Sequence, residues 1–591
     1  MFMHRINDMI RKGKKYIALA MASCMLVTVS ACGKDSASSA DDGVMRSELT
    51  AIEVTELMGN GINLGNTMEA YGRASLGVGA EVSEYETSWG CPVTTQEMIS
   101  GMKAAGFDTI RVPVAWTNAM NFEEGDYTIG EDYLDRIEEI ITYARNEGMY
   151  VIINDHWDGG WWGMFGSASE ETRQQAMDMY VSMWTQIAER YKDYSDYLIF
   201  ESGNEELGYR LNDTDIATDS GSLSDDECFE VTNEINQVFV DTVRATGGNN
   251  EERFLLIAGF GTDITNTCDA RYAMPTDTAE NKLLVSVHYY NPDGYCINTS
   301  LSSWGTKDDY EEQSEMLSMM IKFTEEGYGV VIGEYGVLLN DGELKENTCD
   351  YLAGILNNCD VYGYCPLLWD TNALFSREDA KIINEEVAAL YTAHSQAAQA
   401  EKTTEEIAAE ASDYLADAVA NAPEGAGVSD DESVAWIMYN SSDWSILYSV
   451  GDVYDPTAKT EGVEAVDVEI TGEGTYTVSL DFTGTAAGYA DSVVFSALAI
   501  ANGETLFPGY MVNIDEILVN GEPYQMNGRP YTTSDDKICT RVNLYNAWVS
   551  EVPEDARTVG GSLAFTTPNL LDAETLGHVE TISVTFTYVA P

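Results

Sequence analysis

Two glutamates that could carry acid–base chemistry stand at the ends of apolar, strand-like runs. Glu205 directly follows the run 197–204, and Glu334 closes the run 329–334. A pair of carboxyl groups placed in this way suits the cleavage of a glycosidic bond. One protonated carboxyl donates a proton to the leaving oxygen, while the other carboxylate stabilises or attacks the anomeric carbon.

Other polar and aromatic residues stand at the ends of further runs. They show no Ser/His/Asp order for a nucleophilic serine and no convincing metal-binding cluster. Aromatic rings stack on the apolar C–H patches of sugar rings, so the set favours a carbohydrate substrate. The residues are Arg111, Asn154, Asp155, His156, Trp157, Asn204, His288, Tyr289, Tyr290, Trp369 and Asp370.

The elements that must position these residues are eight β-rich runs between residues 51 and 395, separated by helix-length segments. Eight βα units predict a (β/α)8 barrel, or TIM barrel, whose active site faces the carboxyl ends of the strands. The competing architecture is a doubly wound open sheet, but no GxGxxG loop follows any run. The runs are 61–66, 109–116, 150–156, 197–204, 254–260, 283–290, 329–334 and 364–370; the clearest helices are 94–105, 132–147, 172–190 and 310–326.

The last third of the chain has a different pattern. Residues 396–434 predict a helical, acidic linker that closes with Pro, Gly and acidic residues. Residues 435–591 predict an antiparallel β-sandwich, because short runs of mixed polar and apolar residues are separated by turn signals such as Asn-Gly. The clearest strand candidates are 475–482, 492–500, 511–520 and 581–588.

The first residues predict targeting and not a folded element. Residues 1–31 read as a signal peptide, with a basic start and an apolar run too short to span a membrane comfortably. The run ends in VSAC, which resembles a bacterial lipobox, so Cys32 is the expected site of lipidation and residues 32–50 the expected tether. These features predict an extracellular, lipid-anchored protein on a bacterial cell surface. The alternative is an ordinary secretory signal with an incidental cysteine.

The net charge limits the partners of this protein. The 591 residues include 31 Lys+Arg and 99 Asp+Glu, a formal charge of −68 at pH 7. Such a surface repels phosphate backbones, which argues against nucleic acids and anionic membrane surfaces and favours a neutral or cationic ligand. The charge also serves to keep an extracellular protein soluble. We expect contact with the membrane only through the lipid anchor, and a monomeric chain.

Nine motifs within residues 51–395 resemble those of glycoside hydrolase family five, and most of all its subfamily that hydrolyses β-1,4-glucans and xyloglucan. They occur in the order of that family and are highly specific as a set. The resemblance implies a retaining, endo-acting hydrolase that cleaves β-1,4-glucan by double displacement without cofactor or metal. The motifs are GINLGNT (61–67), ETSWG and PVTT (86–95), GFDTIRVPVAW (106–116), VIINDH (151–156), IFESGNE (199–205), VSVHYYNP (285–292), SSWG (302–305), VVIGEYG (330–336) and LLWD (367–370).

The resemblance also implies roles for individual residues. Glu205 would be the acid/base and Glu334 the nucleophile, while Asn204 would bind the sugar 2-hydroxyl beside the scissile bond. Arg111 and Tyr290 would orient Glu334. On physical grounds the arginine would keep Glu334 ionised, whereas Glu205 needs a raised pKa to hold its proton.

Further residues of the resemblance would contact sugar. His156 and His288 would line the cleft, Trp369 would form a platform below the nucleophile, and Trp304 would stack in an adjoining subsite. Long loops with several tryptophans suggest an open cleft that cuts polymers internally. The loop tryptophans besides Trp304 are Trp89, Trp161 and Trp162, of which the last two suit cleft floor and loop packing equally.

Two positions depart from the family pattern. Glu206 stands where the family has proline after the acid/base, and we expect its side chain to be solvated. Trp157 stands where the family has the second of two histidines, so a ring replaces one hydrogen bond to sugar. Both departures bear on the specificity and acidity of the site.

Several alternatives remain open at this level. The same machinery would serve xyloglucan, mixed-linkage glucan or mannan, and a polysaccharide-capture lipoprotein is the alternative from another functional class. The sandwich resembles a carbohydrate-binding module, with a structural spacer as its alternative. Trp436, Trp444 and Trp548 each suit a core position better than a sugar platform, although we expect at least one to be exposed.

Overall fold

The structure is a computed structural model that describes residues 41–298, 301, 303–340, 342–423, 428, 432–451, 457–534, 536–553 and 555–591. The predicted signal peptide, the lipidation site Cys32 and the first part of the tether lie outside these residues. Among the residues it does describe, no helix combines the length and the apolar character that crossing a membrane requires.

Eight parallel strands close into a barrel in which each strand pairs with its neighbours in the sequence and the first pairs with the last. The predicted TIM barrel is therefore confirmed, and each predicted run contains a strand. The strands are β1 Gly61–Asn63, β2 Thr109–Val112, β3 Tyr150–Ile153, β4 Leu198–Glu201, β5 Leu255–Ala258, β6 Leu283–Tyr289, β7 Gly329–Tyr335 and β8 Cys365–Leu368.

Helices follow the strands as expected, but the predicted helix 310–326 is two helices. At Met319 and Met320 the backbone N–H groups bond three residues back instead of four, which tightens the chain and ends the first helix. The α-helices of this region are Ala51–Met58, Arg73–Leu76, Val82–Glu86, Gln96–Ala104, Glu131–Asn146, Glu170–Tyr191, Asp225–Ala245, Ile264–Thr267, Asp293–Cys296, Lys307–Ser318, Ile321–Glu325, Thr348–Tyr362, Glu385–Ala393, Gln396–Gln399 and Thr404–Asn421.

Shorter elements decorate the loops of the barrel. They consist of several 3-10 segments and one small hairpin of β9 (Phe375–Ser376) and β10 (Lys381–Ile382). The 3-10 segments are Trp116–Ala119, Phe122–Glu124, Asp158–Gly166, Tyr209–Asn212, Gly248–Glu251 and Phe260–Thr262.

The barrel interior is apolar at one end and polar at the other. Ile152, Ile199 and Leu256 form a buried cluster with the helix Ala51–Met58, which covers the amino ends of the strands. Side chains alternate along a strand, so a residue two positions further on faces the same interior. This places Glu201 on the inner side of β4, one layer above Ile199. The polar layer of the barrel interior therefore packs directly against a buried apolar layer nearer the amino ends of the strands.

A bulge in β7 sets the direction of Glu334. The register between β6 and β7 shifts at Gly333, so that Glu334 pairs with His288. A Cβ atom at Gly333 would lie 2.6 Å from Oγ of Ser286 and 3.2 Å from the His288 ring, so a larger residue here would displace side chains next to the site. Bulges next to active sites commonly re-aim a side chain in this way.

The segments that flank the barrel pack against it more than the sequence suggests. In the predicted tether, Nε of Arg46 donates to Asp196 at 2.9 Å and Asp41 accepts from Nε of Arg145 at 2.9 Å, so residues 41–50 are held on the barrel. In the predicted linker, the helix Thr404–Asn421 packs along the helix Thr348–Tyr362. Apolar residues on one face of a helical extension are enough to dock it on a neighbour.

The C-terminal region consists of antiparallel sheets that share one core, as predicted. One sheet has the order β13-β12-β11-β18-β21 with β15 beside β11, another has the order β14-β16-β23-β19-β20, and β17 pairs with β22. The strands are β11 Val434–Asn440, β12 Leu447–Ser449, β13 Ala458–Lys459, β14 Glu464–Val466, β15 Val468–Glu469, β16 Gly474–Asp481, β17 Ala490–Asp491, β18 Phe495–Ile500, β19 Met511–Val519, β20 Glu522–Pro523, β21 Thr540–Asn546, β22 His578–Val579 and β23 Thr581–Val589.

The core of this sandwich draws on both large sheets. It joins Trp436 of β11 with Val478 of β16 and Val584 of β23, all fully buried. Trp436 is thus a core residue, whereas Trp444 and Trp548 are exposed. Two helices of four residues, Gly503–Leu506 and Ala573–Leu576, lie in its loops.

Candidate active site

Arg111 is the centre of a buried polar network inside the barrel. Its Nε donates to Oε2 of Glu201 at 2.7 Å, and its Nη2 donates to Oδ1 of Asn204 at 2.8 Å. Its Nη1 donates to Oε1 of Glu334 at 2.9 Å and to Oδ1 of Asn63 at 3.0 Å. A rigid planar guanidinium with several donors can fix four acceptors at once, which lysine cannot do. Arg111 therefore holds both Glu334 and Asn204 in place.

The two candidate catalytic carboxyl groups meet at one histidine. Nδ1 of His288 lies 2.9 Å from Oε1 of Glu205 and 3.6 Å from Oε2 of Glu334. The hydroxyl of Tyr290 donates to Oε2 of Glu334 at 3.0 Å. One oxygen of each carboxyl lies within 4.8 Å of the other. Retaining glycosidases hold their carboxyl groups about 5–5.5 Å apart, whereas inverting enzymes need more room for a water molecule.

The two glutamates differ in the exposed fraction of their side chains. The side chain of Glu334 is 6% exposed, whereas that of Glu205 is 38% exposed. Glu334 therefore takes its counter-charges from the protein, while Glu205 borders the open cleft. A sugar bound in this cleft would cover Glu205 and remove the water that solvates it.

The pKa values of the cluster differ from the expected order. Burial raises the pKa of Glu334 above its ordinary value, and the charges of His288 and Arg111 offset only part of that rise. Burial acts on Glu205 too, but the hydrogen bond and charge of His288 outweigh it, so the pKa of Glu205 is lowered. For His288 itself, burial lowers the pKa, and the charge of Glu334 with the Glu205 hydrogen bond reverses this to a net rise.

The consequence is that His288 favours the ionised form of Glu205 while the site is free of substrate. A hydrogen bond between an imidazolium and a carboxylate is charge-assisted, so this arrangement stabilises the ionised form of Glu205. The sequence predicts that Arg111 keeps Glu334 ionised and that Glu205 has a raised pKa. In the substrate-free site the pKa of Glu334 is raised and that of Glu205 is lowered, and the charge of His288 acts on Glu334 more than that of Arg111 does.

Aromatic rings border the site. The rings of His156 and Trp369 stack in parallel at a centroid distance of 5.7 Å, and both are partly exposed. The ring centroid of Trp157 lies 6.3 Å from that of Trp89 and 5.7 Å from that of Tyr71. Trp89 is 41% exposed. Such rings could offer apolar faces to sugars, and Trp157 and Trp89 extend this aromatic surface; the platform role of Trp369 stays a prediction.

His156 is a neutral member of the cluster. Burial lowers its pKa well below the ordinary value, and the nearby charges of Arg111 and His288 act in the same direction. Its buried Nδ1 atom has no hydrogen-bond partner. A neutral imidazole with an unused nitrogen suits a hydrogen bond to a sugar hydroxyl.

The expectation that Glu206 is solvated is wrong. Its side chain is 2% exposed and pairs with Nη1 of Arg210 at 2.7 Å. Burial raises its pKa to about 7, although the charge of Arg210 lowers it. The strand end turns sharply here, so the residue after Glu205 points inward and not towards solvent.

Three loop tryptophans are buried: Trp304, which was expected to stack in a subsite, and Trp161 and Trp162, for which cleft floor and loop packing were equally open. Trp304 is 3% exposed, because Tyr310 packs against it at 4.6 Å and Tyr351 at 5.3 Å. Trp161 and Trp162 stack on each other at 4.5 Å and are fully buried. None of the three presents a free ring face to a sugar. Their sequence positions in loops gave no measure of burial.

Sequence reasoning did not single out Glu201 and Asn63, although both lie in quoted motifs. Each contacts Arg111 from inside the barrel. The available signal was a charged residue within the apolar run of β4, since Leu198, Ile199 and Phe200 precede Glu201 directly. A buried acid in such a run requires a buried partner.

Glu205, His288 and Glu334 are also candidates for a metal site. Among the described residues, Glu205, His288 and Glu334 form the group of acidic and histidine side chains that could meet at one ion. The same side chains already make hydrogen bonds within the site, His288 with Glu205 and Arg111 and Tyr290 with Glu334. The absence of a metal or cofactor stays a prediction.

Comparison with known proteins shows the family to which the chain belongs. The family model described as Cellulase (glycosyl hydrolase family 5) matches residues 70–374, more than half of the chain. The chain belongs to glycoside hydrolase family 5. This family hydrolyses glycosidic bonds with retention of configuration, and the proximity of Glu205 and Glu334 is consistent with that chemistry.

Individual family 5 enzymes align with the barrel region. A xyloglucan-specific endo-β-1,4-glucanase of Bacteroides ovatus is 35% identical over 363 residues, which cover 57% of this chain and 69% of that protein. Endoglucanase A of Paenibacillus barcinonensis is 33% identical over 417 residues, 64% of this chain and 98% of that protein. A solved family 5 endoglucanase of broad specificity from Ruminococcus champanellensis, with bound cellotriose, superposes with a TM-score of 0.52 at 30% identity, over 59% of this chain and 99% of that one.

Proposed function

We propose that this protein is a retaining endo-β-1,4-glucanase in which Glu334 is the nucleophile and Glu205 the acid/base. The observation that carries the proposal is the convergence of both carboxyl groups on His288, with oxygens within 4.8 Å of each other. The family membership and the endoglucanases among the relatives support the same activity.

In the first step an oxygen of Glu334 attacks the anomeric carbon. The glycosidic C–O bond breaks, a glycosyl ester forms on Glu334, and Glu205 gives its proton to the leaving oxygen. Arg111 and Tyr290 hold the attacking carboxylate in a fixed orientation. Asn204, itself fixed by Arg111, is placed to bind the sugar 2-hydroxyl.

The acidity of Glu205 in this step depends on its contact with His288. Nδ1 of His288 lies 2.9 Å from Oε1 of Glu205 and lowers the pKa of that carboxyl while the site is free of substrate. When a sugar covers Glu205, the loss of water disfavours its charge and raises its pKa, so that the carboxyl holds the proton that it then donates. In the second step Glu205 takes a proton from water, which attacks the ester and releases the sugar with net retention.

The substrate is a neutral β-glucan that is cut internally. The exposed aromatic rings of Trp369, Trp157 and Trp89 border the site, which suits a chain with several bound sugars. The viscosity of hydroxyethylcellulose should fall much faster than reducing ends appear. Release of glucose alone from the first minutes would contradict an endo-acting cleft.

Xyloglucan is the second candidate substrate, because a relative that is 35% identical is named a xyloglucan-specific enzyme. Mixed-linkage glucan and mannan are further candidates, because the same pair of carboxyl groups could cleave their glycosidic bonds. Initial rates on soluble cellulose derivatives, xyloglucan, mixed-linkage glucan and mannan rank the four substrates. A chain that binds these polymers without cleaving any of them would instead be a polysaccharide-capture protein.

A lipid anchor at Cys32 would hold the enzyme on the outside of a bacterial cell. The lipobox-like sequence that ends at Cys32 supports this proposal. A Cys32→Ala variant expressed in a bacterial host should lose incorporation of a labelled fatty acid and leave the membrane fraction, whereas Cys24→Ala should retain both. An anchored chain should remain monomeric in detergent by light scattering. Unchanged labelling of Cys32→Ala would exclude this site.

The C-terminal sandwich would act as a carbohydrate-binding module. A bound module keeps the cleft at a high effective concentration over its polymer, even when its own affinity is weak. The two exposed tryptophans of the sandwich support this role over that of a spacer.

A further inference from the structure

Two exposed tryptophans of the C-terminal sandwich lie side by side. The ring centroids of Trp444 and Trp548 are 6.1 Å apart with an angle of 40° between the ring planes. Trp444 is 52% exposed and Trp548 is 67% exposed. The core of the sandwich already has its own buried tryptophan, Trp436, so the exposed pair is not needed for packing.

The topology explains why these two rings meet although about a hundred residues separate them. In the sheet, β18 lies between β11 and β21 and is antiparallel to both. The carboxyl ends of β11 and β21 therefore lie at the same end of the sheet. There Phe495, the first residue of β18, pairs with Asn440 of β11 on one side and with Asn546 of β21 on the other. Trp444 and Trp548 occupy the loops that follow these two ends.

The loop of Trp444 is held in an unfavourable conformation. Trp444 has a φ of 59°, in the left-handed region that bulky residues rarely adopt. Oδ1 of Asp443 accepts bonds from Oγ of Ser441 at 2.6 Å and from the backbone N–H of Ser445 at 3.1 Å, and Trp444 N–H donates to the carbonyl of Ser441 at 3.0 Å. Strain of this kind persists where the surroundings over-determine it, and it clusters at ligand sites.

The loop of Trp548 is braced as well. Its backbone N–H donates to Oδ1 of Asn546 at 3.0 Å, and the backbone N–H of Asn546 donates to Oδ1 of Asn569 at 2.8 Å. Nδ2 of Asn569 reaches the carbonyl of Val549 at 3.4 Å. The backbone of both loops is therefore braced, so little backbone entropy is lost when a ligand binds.

Polar groups adjoin the aromatic pair. Backbone N–H and Oγ of Ser442, two residues before Trp444, both donate to the carbonyl of Asp491. The side chain of Asp491 lies 3.4 Å from Nε2 of His578, whose ring stacks on Tyr489 at 3.9 Å. Asp491 and His578 are exposed. Apolar faces beside exposed hydrogen-bonding groups match the two kinds of surface on a sugar ring.

We propose that Trp444 and Trp548 form a binding platform for a β-1,4-linked glucan chain, distinct from the catalytic cleft. A neutral polymer fits because the protein carries a formal charge of −68, which disfavours anionic partners. A β-1,4-glucan fits because the sugar rings of such a chain expose flat C–H faces, and because the barrel of the same chain cleaves it. The inference rests on the proposed function for its choice of polymer.

The test uses the full chain with Glu334→Gln, so that the polymer survives the measurement. Native gels that contain hydroxyethylcellulose or xyloglucan report binding as retardation. Trp444→Ala together with Trp548→Ala should weaken the apparent affinity by about tenfold, since each stacked ring contributes about two- to tenfold. Phe565→Ala is the matched control, because Phe565 is 86% exposed on the same domain and also has a positive φ of 66°. It should leave retardation unchanged.

A second measurement separates this proposal from the catalytic one. In the chain with both glutamates intact, the double tryptophan variant should hydrolyse cellotetraose at the parent rate and lose activity several-fold on insoluble cellulose. Failure of the parent chain to cleave cellotetraose would count against the proposed function. Unchanged retardation and unchanged activity on cellulose in the double variant would overturn the platform. So would a dimer that dissociates in this variant, since the pair would then be a contact between copies.

Discussion

His288 and Glu205 share a hydrogen bond of 2.9 Å between Nδ1 and Oε1, and through it a neighbour on β6 changes the acidity of the proposed acid/base. The histidine lowers the pKa of Glu205 by donating to its carboxylate and by its charge, against the effect of burial. A glutamate alone in this position would have a raised pKa.

The pH profile tests this relationship. In His288→Gln the lowering influence on Glu205 is lost, so its pKa should rise and the basic limb of kcat/KM should move to higher pH. The limb moves up and not down because Glu205 must be protonated to act, and a higher pKa keeps it protonated further. His156→Gln is the control, because burial keeps His156 neutral. A basic limb that shifts equally in both variants would contradict the assignment.

The roles of the two glutamates can be separated by the leaving group. Glu205→Gln and Glu334→Gln should each abolish hydrolysis of polymer, since positioned proton transfer alone contributes about 10²–10⁴ in rate. Aryl cellobiosides with good leaving groups need little acid assistance, so they should partly rescue Glu205→Gln and not Glu334→Gln. Rates are followed by release of the phenol. Equal behaviour of the two variants would refute the assigned roles.

Arg111 should not tolerate lysine. Arg111→Lys loses the planar set of donors that reaches Glu334, Glu201 and Asn204, and we expect kcat to fall by about 10²–10³. Arg136→Lys is a matched control, because Arg136 makes two bonds to Glu86 at 2.8 and 3.0 Å outside the site. The control should retain kcat. Similar kcat values for both variants would show that the network around Arg111 is only structural.

Trp157 should contribute to binding more than to chemistry. Trp157→Ala removes a ring that contacts Trp89 and Tyr71, so kcat/KM on cellotetraose should fall by about two- to tenfold, mostly through KM. Trp548→Ala, on the other domain, should leave kcat/KM on this short substrate unchanged. An unaltered KM in Trp157→Ala would exclude a sugar contact at this ring.

The buried Glu206 should make stability depend on pH. Burial raises its pKa to about 7 in the folded state, whereas an unfolded glutamate titrates near about 4.3. Between these values the folded state binds the extra proton, so the free energy of unfolding should fall as pH rises from about 4 to about 7. Glu206→Gln should reduce this slope by up to about 1.4 kcal/mol per pH unit. Urea unfolding at pH 4.5 and 7 measures it.

An exposed glutamate supplies the comparison for that slope. Glu171 lies on the surface, at the start of the helix Glu170–Tyr191. Glu171→Gln should leave the pH dependence of unfolding as it is in the parent chain. If Glu206→Gln leaves it equally unaltered, the buried carboxyl does not titrate in this range.

Much of the fold was predictable from local pattern. The barrel strands are short apolar runs bounded by turn residues, and the strands β16, β18, β19 and β23 fall within the predicted segments or within one residue of them. The strand β11 was not among the clearest candidates, because six of its seven residues are buried and its sequence shows no alternation. A strand buried on both faces carries no period-two signal.

The sequence alone determined the barrel and the acidic composition and singled out Glu205 and Glu334 as the candidate catalytic pair, because motifs, period and charge are properties of residue order. Only the tertiary structure decided which of these side chains are buried and which residues they contact. Glu206 and Trp304 turned inward because the loops that carry them fold against the barrel, which no local pattern records. Glu201 met Arg111 across the barrel, and Trp444 met Trp548 across a sheet, because strands distant in sequence become neighbours only when the sheet assembles.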